Sequence, residues 1–161
     1  MNRRRLAAGL LLLPWVLLCS CATVTSEPAA DTDTRSGITV VTLADDSTRV
    51  DIATDAAFDY GSAVLRPAFV AQLSPVMEPH SQQAVRVSGF TDNVGATAYN
   101  LELSRQRAQA VADALIAQGF NITQLAVNGY GESNPVASNS DANGRYHNRR
   151  IELLITASTD G

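Results

Sequence analysis

The 161-residue sequence contains no lysine: its 12 basic residues are all arginine, set against 16 acids for a formal net charge of −4. A chain with this balance lacks the basic face that displaces counterions from phosphate, which speaks against nucleic acid as a partner. Cysteine is nearly absent. Cys19 and Cys21 are the only two, close together near the start, so no disulfide framework or four-ligand zinc site can be built from them. Two histidines, His80 and His147, leave little room for imidazole chemistry, and no Gly-x-Ser-x-Gly elbow occurs. No cofactor is expected. Against these absences, 45% hydrophobic and 17% charged residues are globular values, and the length is that of about one domain.

Residues 1–20 read as an export leader. Arg3, Arg4 and Arg5 form a positive start, and Leu6 to Leu18 an apolar stretch. That stretch is shorter than the roughly 20 residues of a spanning helix, and Pro14 interrupts it. Nothing later in the chain is apolar enough to cross a bilayer. The stretch ends in Leu18-Cys19-Ser20-Cys21, which resembles the bacterial lipobox, with Cys21 as the lipidated mature N-terminus. The other reading is an ordinary cleaved signal with a free thiol. Two or more acyl chains would hold far better than a single myristoyl group. Ala22 rather than Asp follows Cys21, which by analogy with enteric lipoprotein sorting favours the outer membrane. Removing the leader takes away three of the 12 Arg and none of the 16 acids, giving a mature charge of −7.

Residues 21–37 carry Ala, Thr, Ser, Asp and Pro with Val24 as the one larger apolar residue. They cannot bury enough surface to offset ordering, and read as a tether averaging roughly 20–25 Å as a coil. The folded domain is expected over 38–157. Ile38–Leu43 and Thr48–Ile52 alternate as a hairpin around Ala44-Asp45-Asp46-Ser47. A helix is predicted from about Leu65 to Met77, with Pro67 in its first turn and Pro75 kinking it or ending it early. Ala84–Phe90 reads as a strand. The strongest helix spans about Tyr99–Gln118, with Ser104, Ala108, Val111 and Leu115 as its buried stripe and Gly119 as its stop. Leu125–Gly131 is a strand ending in a Gly turn, Ser133–His147 is loop-like, and Arg150–Thr156 is a closing strand. Strands alternating with helices make an α/β sandwich, a mixed sheet with helices packed on it.

Polar residues that solubility does not explain gather in three places. Asp92 lies in the loop before the long helix. Arg107 sits at the edge of that helix's buried stripe, able to lean back towards the loop. Asn148-Arg149-Arg150 opens the last strand, where the two arginines point to opposite faces and at most one faces the site. A carboxylate beside guanidinium groups suits a ligand carrying both charges: the Arg fork takes a carboxylate and Asp92 an ammonium. The structural alternative is an ion pair between Asp92 and Arg107 that merely fixes the loop.

In order along the chain stand Phe58-Asp59-Tyr60-Gly61-Ser62, Val87-Ser88-Gly89-Phe90-Thr91-Asp92-Asn93-Val94-Gly95, Asn100 to Ala108 with Leu103-Ser104-Arg105-Gln106-Arg107-Ala108, Gly129-Tyr130-Gly131-Glu132-Ser133 and Asn148-Arg149-Arg150-Ile151-Glu152. This series resembles the OmpA-like peptidoglycan-binding domain over nearly all of the folded chain. The resemblance implies non-covalent binding of the peptidoglycan stem peptide, chiefly at diaminopimelate. It carries ligand-binding roles to Asp92, Arg107 and Arg149, with secondary contacts at Asn100 and the Phe58, Asp59 and Tyr60 loop. Phe90 departs from the pattern, standing where the family usually has His. Arg105 is expected on the solvated surface.

The implied function is an outer-membrane lipoprotein facing the periplasm and tethering that membrane to the wall. A second class is a wall hydrolase, which would need two carboxylates across a cleft, for instance Asp92 and Glu132. A third is a regulatory lipoprotein acting mainly through a periplasmic protein partner, docked on the Ile38–Ile52 hairpin edge.

Overall fold

The computed structural model describes residues 37–121 and 125–156; the predicted leader, Cys21, the tether up to residue 36 and residue 157 lie outside the described residues. The expected hairpin forms, as β1 (Ile38–Thr42) and β2 (Thr48–Ala53). A single helical turn, α1 (Thr54–Ala57), follows directly. Then come α2 (Pro67–Met77), a 3₁₀ turn at Glu78–His80, β3 (Ala84–Gly89), α3 (Thr97–Ala117), β4 (Leu125–Gly129), α4 (Ala142–Asn148) and β5 (Arg150–Thr156).

The five strands form one mixed sheet in the order β1-β2-β5-β3-β4. β3 and β4 are parallel, joined through α3, and the other neighbours are antiparallel. Alternation sorts the faces. Val50 and Ile52 of β2 stand opposite Leu153 and Ile151 of β5, and Val85 and Val87 of β3 opposite Ile155 and Leu153. These residues share one core with Phe69, Leu73 and Met77 of α2 and Ala108, Val111, Ala112 and Leu115 of α3. On the other face Asp51 stands opposite Glu152. Among the described residues the core runs from Ile38 to Ile155.

Three expectations change. Of the two effects expected of Pro75, the early stop does not occur: the residue lies inside α2, which begins at Pro67 and runs to Met77, the end expected. Pro75 is exposed, while Phe69, Leu73 and Met77 recur every four residues on the buried side. Burying such side chains contributes about 1.5–3 kcal/mol each, enough to carry the chain past one missing backbone bond. The stretch predicted as loop up to His147 holds α4, started by Asp141, whose Oδ1 accepts from Gly144 N at 2.8 Å. It has no apolar periodicity. Its anchor is polar: the buried Asn148 accepts from Val136 N and Ala137 N and donates to Ala137 O and Asn139 Oδ1, all at 2.9–3.0 Å. Finally, the turn α1 has no counterpart in the sequence reading.

α3 sits close upon β3 and β4. A Cβ at Gly89 would run into the Ser104 carbonyl, and one at Gly129 into the Arg105 backbone. Bare backbone at both positions lets the helix settle there. Ser104, fully buried, completes the contact by accepting from Gly131 N at 2.9 Å and donating to Leu101 O. This seating fixes Asn100 and Arg107 near the Gly89 end of β3.

Candidate functional site

At that end of the sheet a cleft of about 510 Å³ opens between the α1–α2 loop, the loop after β3, the start of α3 and the end of α4. Asp92, Arg107, Arg149, Asn100, Phe58 and Asp59 all line it. The sequence-predicted site residues are therefore brought together, each by a different device.

Asp92, 8% exposed, closes its own loop: Val94 N donates to its Oδ1 at 3.0 Å. Its Oδ2 accepts from Arg149 Nη1 at 2.7 Å. Each carboxylate oxygen can accept a second donor, so Asp92 keeps room for a ligand's ammonium. Asn100, 3% exposed, sits in the first turn of α3 and donates to Asp92 O, Val94 O and Glu132 Oε2. It holds the loop in place. Thr91, whose hydroxyl is buried without a partner among the described residues, lines the same wall.

Arg107 is 5% exposed. Its Nε donates to Ser62 O at 2.8 Å and its guanidinium lies 5.3 Å from the Phe58 ring centre. Among the described residues no carboxylate pairs with it, so the anticipated structural ion pair with Asp92 is absent; Asp92 pairs with Arg149. Burial pushes the Arg107 guanidinium below its ordinary pKa, with the nearby Arg149 charge adding to the effect and Asp55, Tyr99 and Asp92 opposing it. A buried cation short of acidic partners is a strong donor to an incoming carboxylate.

Arg149 is differently placed. It donates from Nε and Nη2 to Asp55 at 3.0 and 2.7 Å, and from Nη1 to Asp92. The hydrogen bonds to Asp55 are the largest cause of its raised pKa, and the same bonds hold the Asp55 carboxyl below the usual carboxylate range. Arg149 thus braces two acids. Asp59 is tied to Arg66, whose Nη1 also reaches Asp55 O and Ala56 O at 2.8 Å. Phe58 is buried and forms floor beneath Arg107.

Asp55, Arg66 and Arg145 also line the cleft and were missed in the sequence. Asp55 was legible in principle, because the pairing of Ala53 with Arg150 brings the end of β2 beside Arg149. Arg145 stands four residues before Arg149, which puts both on one side once α4 is known to be a helix. Glu132, the second carboxylate of the hydrolase reading, accepts from Thr97 Oγ1 and Asn100 Nδ2 and is not among the residues lining the cleft.

The two arginines of the Asn-Arg-Arg run do diverge. Arg150 turns away, pairing with Glu152 at 2.7 Å and lying 3.9 Å from the ring centre of Phe90. Phe90 in turn stacks on Tyr130, with centroids 5.2 Å apart and planes 14° from parallel. Phe90, in the position expected to hold His, thus contacts both the Tyr130 ring and the Arg150 guanidinium. Arg105 is exposed, as expected, and it pairs with Glu102.

A small sheet, a helix seated on it through bare glycine backbone and an amphoteric cleft at the strand ends define an α/β module of the OmpA-like kind. The OmpA family model matches residues 57–149, and the chain belongs to that family. It is 39% identical over 119 residues to a protein described as "Probable lipoprotein YiaD" from Escherichia coli (strain K12), covering 72% of this chain and 54% of that one. The chain thus spans about half the length of that relative. Among solved structures it is similar to the cell wall anchor of the T6SS from Pseudomonas aeruginosa, with a TM-score of 0.67 and 31% identity over 77% of this chain and 90% of that one. It is also similar to the peptidoglycan-associated lipoprotein from Burkholderia pseudomallei, with a TM-score of 0.53 and 31% identity over 62% and 87%.

Proposed function

We propose that this protein is an outer-membrane lipoprotein that binds the diaminopimelate-containing stem peptide of peptidoglycan without cleaving it, linking membrane to wall. The observation that carries the proposal is Arg107, buried and without a carboxylate partner among the described residues, in one cleft with Asp92. The free end of diaminopimelate presents an ammonium and a carboxylate on a single carbon. Its carboxylate meets the Arg107 fork over Phe58, and its ammonium meets Asp92, which Arg149 and the Val94 amide hold in position. Relatives described as a peptidoglycan-associated lipoprotein, a cell wall anchor and a lipoprotein support an envelope location and a wall ligand. Cys21 supplies the lipid anchor in this reading.

Co-sedimentation with purified sacculi tests it. Asp92→Ala and Arg107→Ala lose binding while retaining the circular dichroism of the parent, and sacculi incubated with the parent release no fragments. Retained binding by both variants overturns the site, and released muropeptides favour the hydrolase. β1 stands at the sheet's edge, where a strand from a protein partner could add. A periplasmic pull-down with and without free muropeptide separates that role from wall binding.

A further inference from the structure

We propose that Arg145 forms a second carboxylate subsite in this cleft, so that the ligand is read through a second ionised carboxylate on the stem peptide as well as through its zwitterionic head. This rests on the reading of the cleft given above and deepens it.

The charges lead there. Three acids, Asp55, Asp59 and Asp92, and four arginines, Arg66, Arg107, Arg145 and Arg149, line the cleft. Arg66 pairs with Asp59, and Arg149 with both Asp55 and Asp92. Arg107 and Arg145 pair with no carboxylate among the described residues. A zwitterionic head brings one negative and one positive charge, matching Arg107 and Asp92. That leaves Arg145 unmatched, in a protein with more acids than bases, where an acidic neighbour would be easy to supply.

Arg145 is also held ready. Its Nη1 donates to Asn139 O at 2.9 Å, and Asn139 is fixed in turn by Asn148. The remaining four N–H groups of its fork have no acceptor among the described residues. A guanidinium anchored at one corner loses little further freedom when it takes a carboxylate. Its place fits the ligand's dimensions. Arg149 touches Asp92, and Arg145 precedes it by one helical turn, with Arg149 N donating to Arg145 O at 3.1 Å. Neighbours at that spacing are about 5–6 Å apart, while successive peptide residues advance about 3.3–3.6 Å. A carboxylate one or two residues from the head therefore reaches Arg145. Two groups on the stem have this chemistry: the α-carboxylate of the γ-linked glutamate and the carboxylate of the terminal alanine.

Calorimetric titration of the purified protein and its Arg145→Gln variant with three disaccharide tetrapeptides tests the proposal: unmodified, amidated at the glutamate α-carboxyl, and amidated at the terminal carboxyl. Amidating one of the two weakens binding to the parent about tenfold. The same amidation leaves binding to Arg145→Gln unchanged, and the arm that responds identifies the carboxylate. Arg145→Lys, which keeps the charge, recovers part of the loss. If Arg145→Gln weakens all three ligands alike, Arg145 acts only by bracing Asn139 and the proposal fails; it fails also if the variant matches the parent throughout. A parent that binds none of the three overturns the cleft reading itself.

Discussion

Replacing Arg107 by methionine separates a ligand-binding role from a structural one. In the folded protein this guanidinium makes one hydrogen bond among the described residues, to Ser62 O, and lies over Phe58. Losing that bond costs about 1 kcal/mol, and losing the cation–π contact about 0.5–1 kcal/mol. Two effects offset the loss. Methionine keeps the unbranched stem and a favourable sulfur contact with the ring, and removing the charge lifts the burial penalty that pushes the guanidinium below its ordinary pKa. No carboxylate is orphaned, because Asp92 remains paired with Arg149. Stability should therefore move by no more than about 1 kcal/mol. The ligand carboxylate, by contrast, loses charge-assisted hydrogen bonds worth about 1.5–3 kcal/mol each, or at least tenfold in affinity. Urea unfolding followed by circular dichroism gives the first number and calorimetric titration with a diaminopimelate muropeptide the second. A variant destabilised by more than about 2 kcal/mol that binds as tightly as the parent would refute the reasoning.

Asp92→Asn should lower both quantities: it keeps an acceptor for Val94 N but loses the charged bond with Arg149, about 1.5–3 kcal/mol by urea unfolding. Asp55 responds to pH. Its carboxyl titrates below the usual range because Arg149 binds it, so its contribution is complete above the unfolded value near pH 4 and fades as pH falls through the lower folded value. Asp55→Asn should accordingly narrow its stability gap from the parent on acidification, read from denaturation midpoints at pH 7 and pH 3. Asp51 has the opposite sign: burial raises its pKa, its Oδ1 is unpartnered among the described residues, and Glu152 stands across from it. Asp51→Asn should stabilise the protein at pH 7, and by less at pH 4. Phe90→Ala removes the ring that contacts both Tyr130 and Arg150 and should cost about 3–5 kcal/mol in unfolding experiments.

The long helix and the second hairpin strand were legible because burial leaves a period in the sequence: Ser104, Ala108, Val111 and Leu115 are all fully buried in α3, and β2 alternates as read, with Val50 and Ile52 buried; β1 pairs with it but buries Ile38 and Val41, three residues apart. Asp92, Arg107 and Arg149 were legible through ordered motifs rather than periodicity. What failed was written in another code. α4 is held by the side chain of Asn148 and the Asp141 cap, and hydrogen-bond networks leave no period. Pro75 broke a local rule that tertiary burial of Leu73 and Met77 overrode. The division of labour between the arginines was equally hidden: spacing placed Arg107 near Asp92 but could not show that Arg149 takes the ion pair and leaves Arg107 open.

The central claim is that a buried guanidinium and a braced carboxylate hold the two charges on the free end of diaminopimelate. Titration of the protein with a muropeptide whose diaminopimelate carboxylate is free, and with the same muropeptide amidated at that carboxyl, tests it most directly. The account predicts at least a tenfold loss on amidation for the parent and none for Arg107→Met. Equal affinity of the parent for the two forms would contradict it.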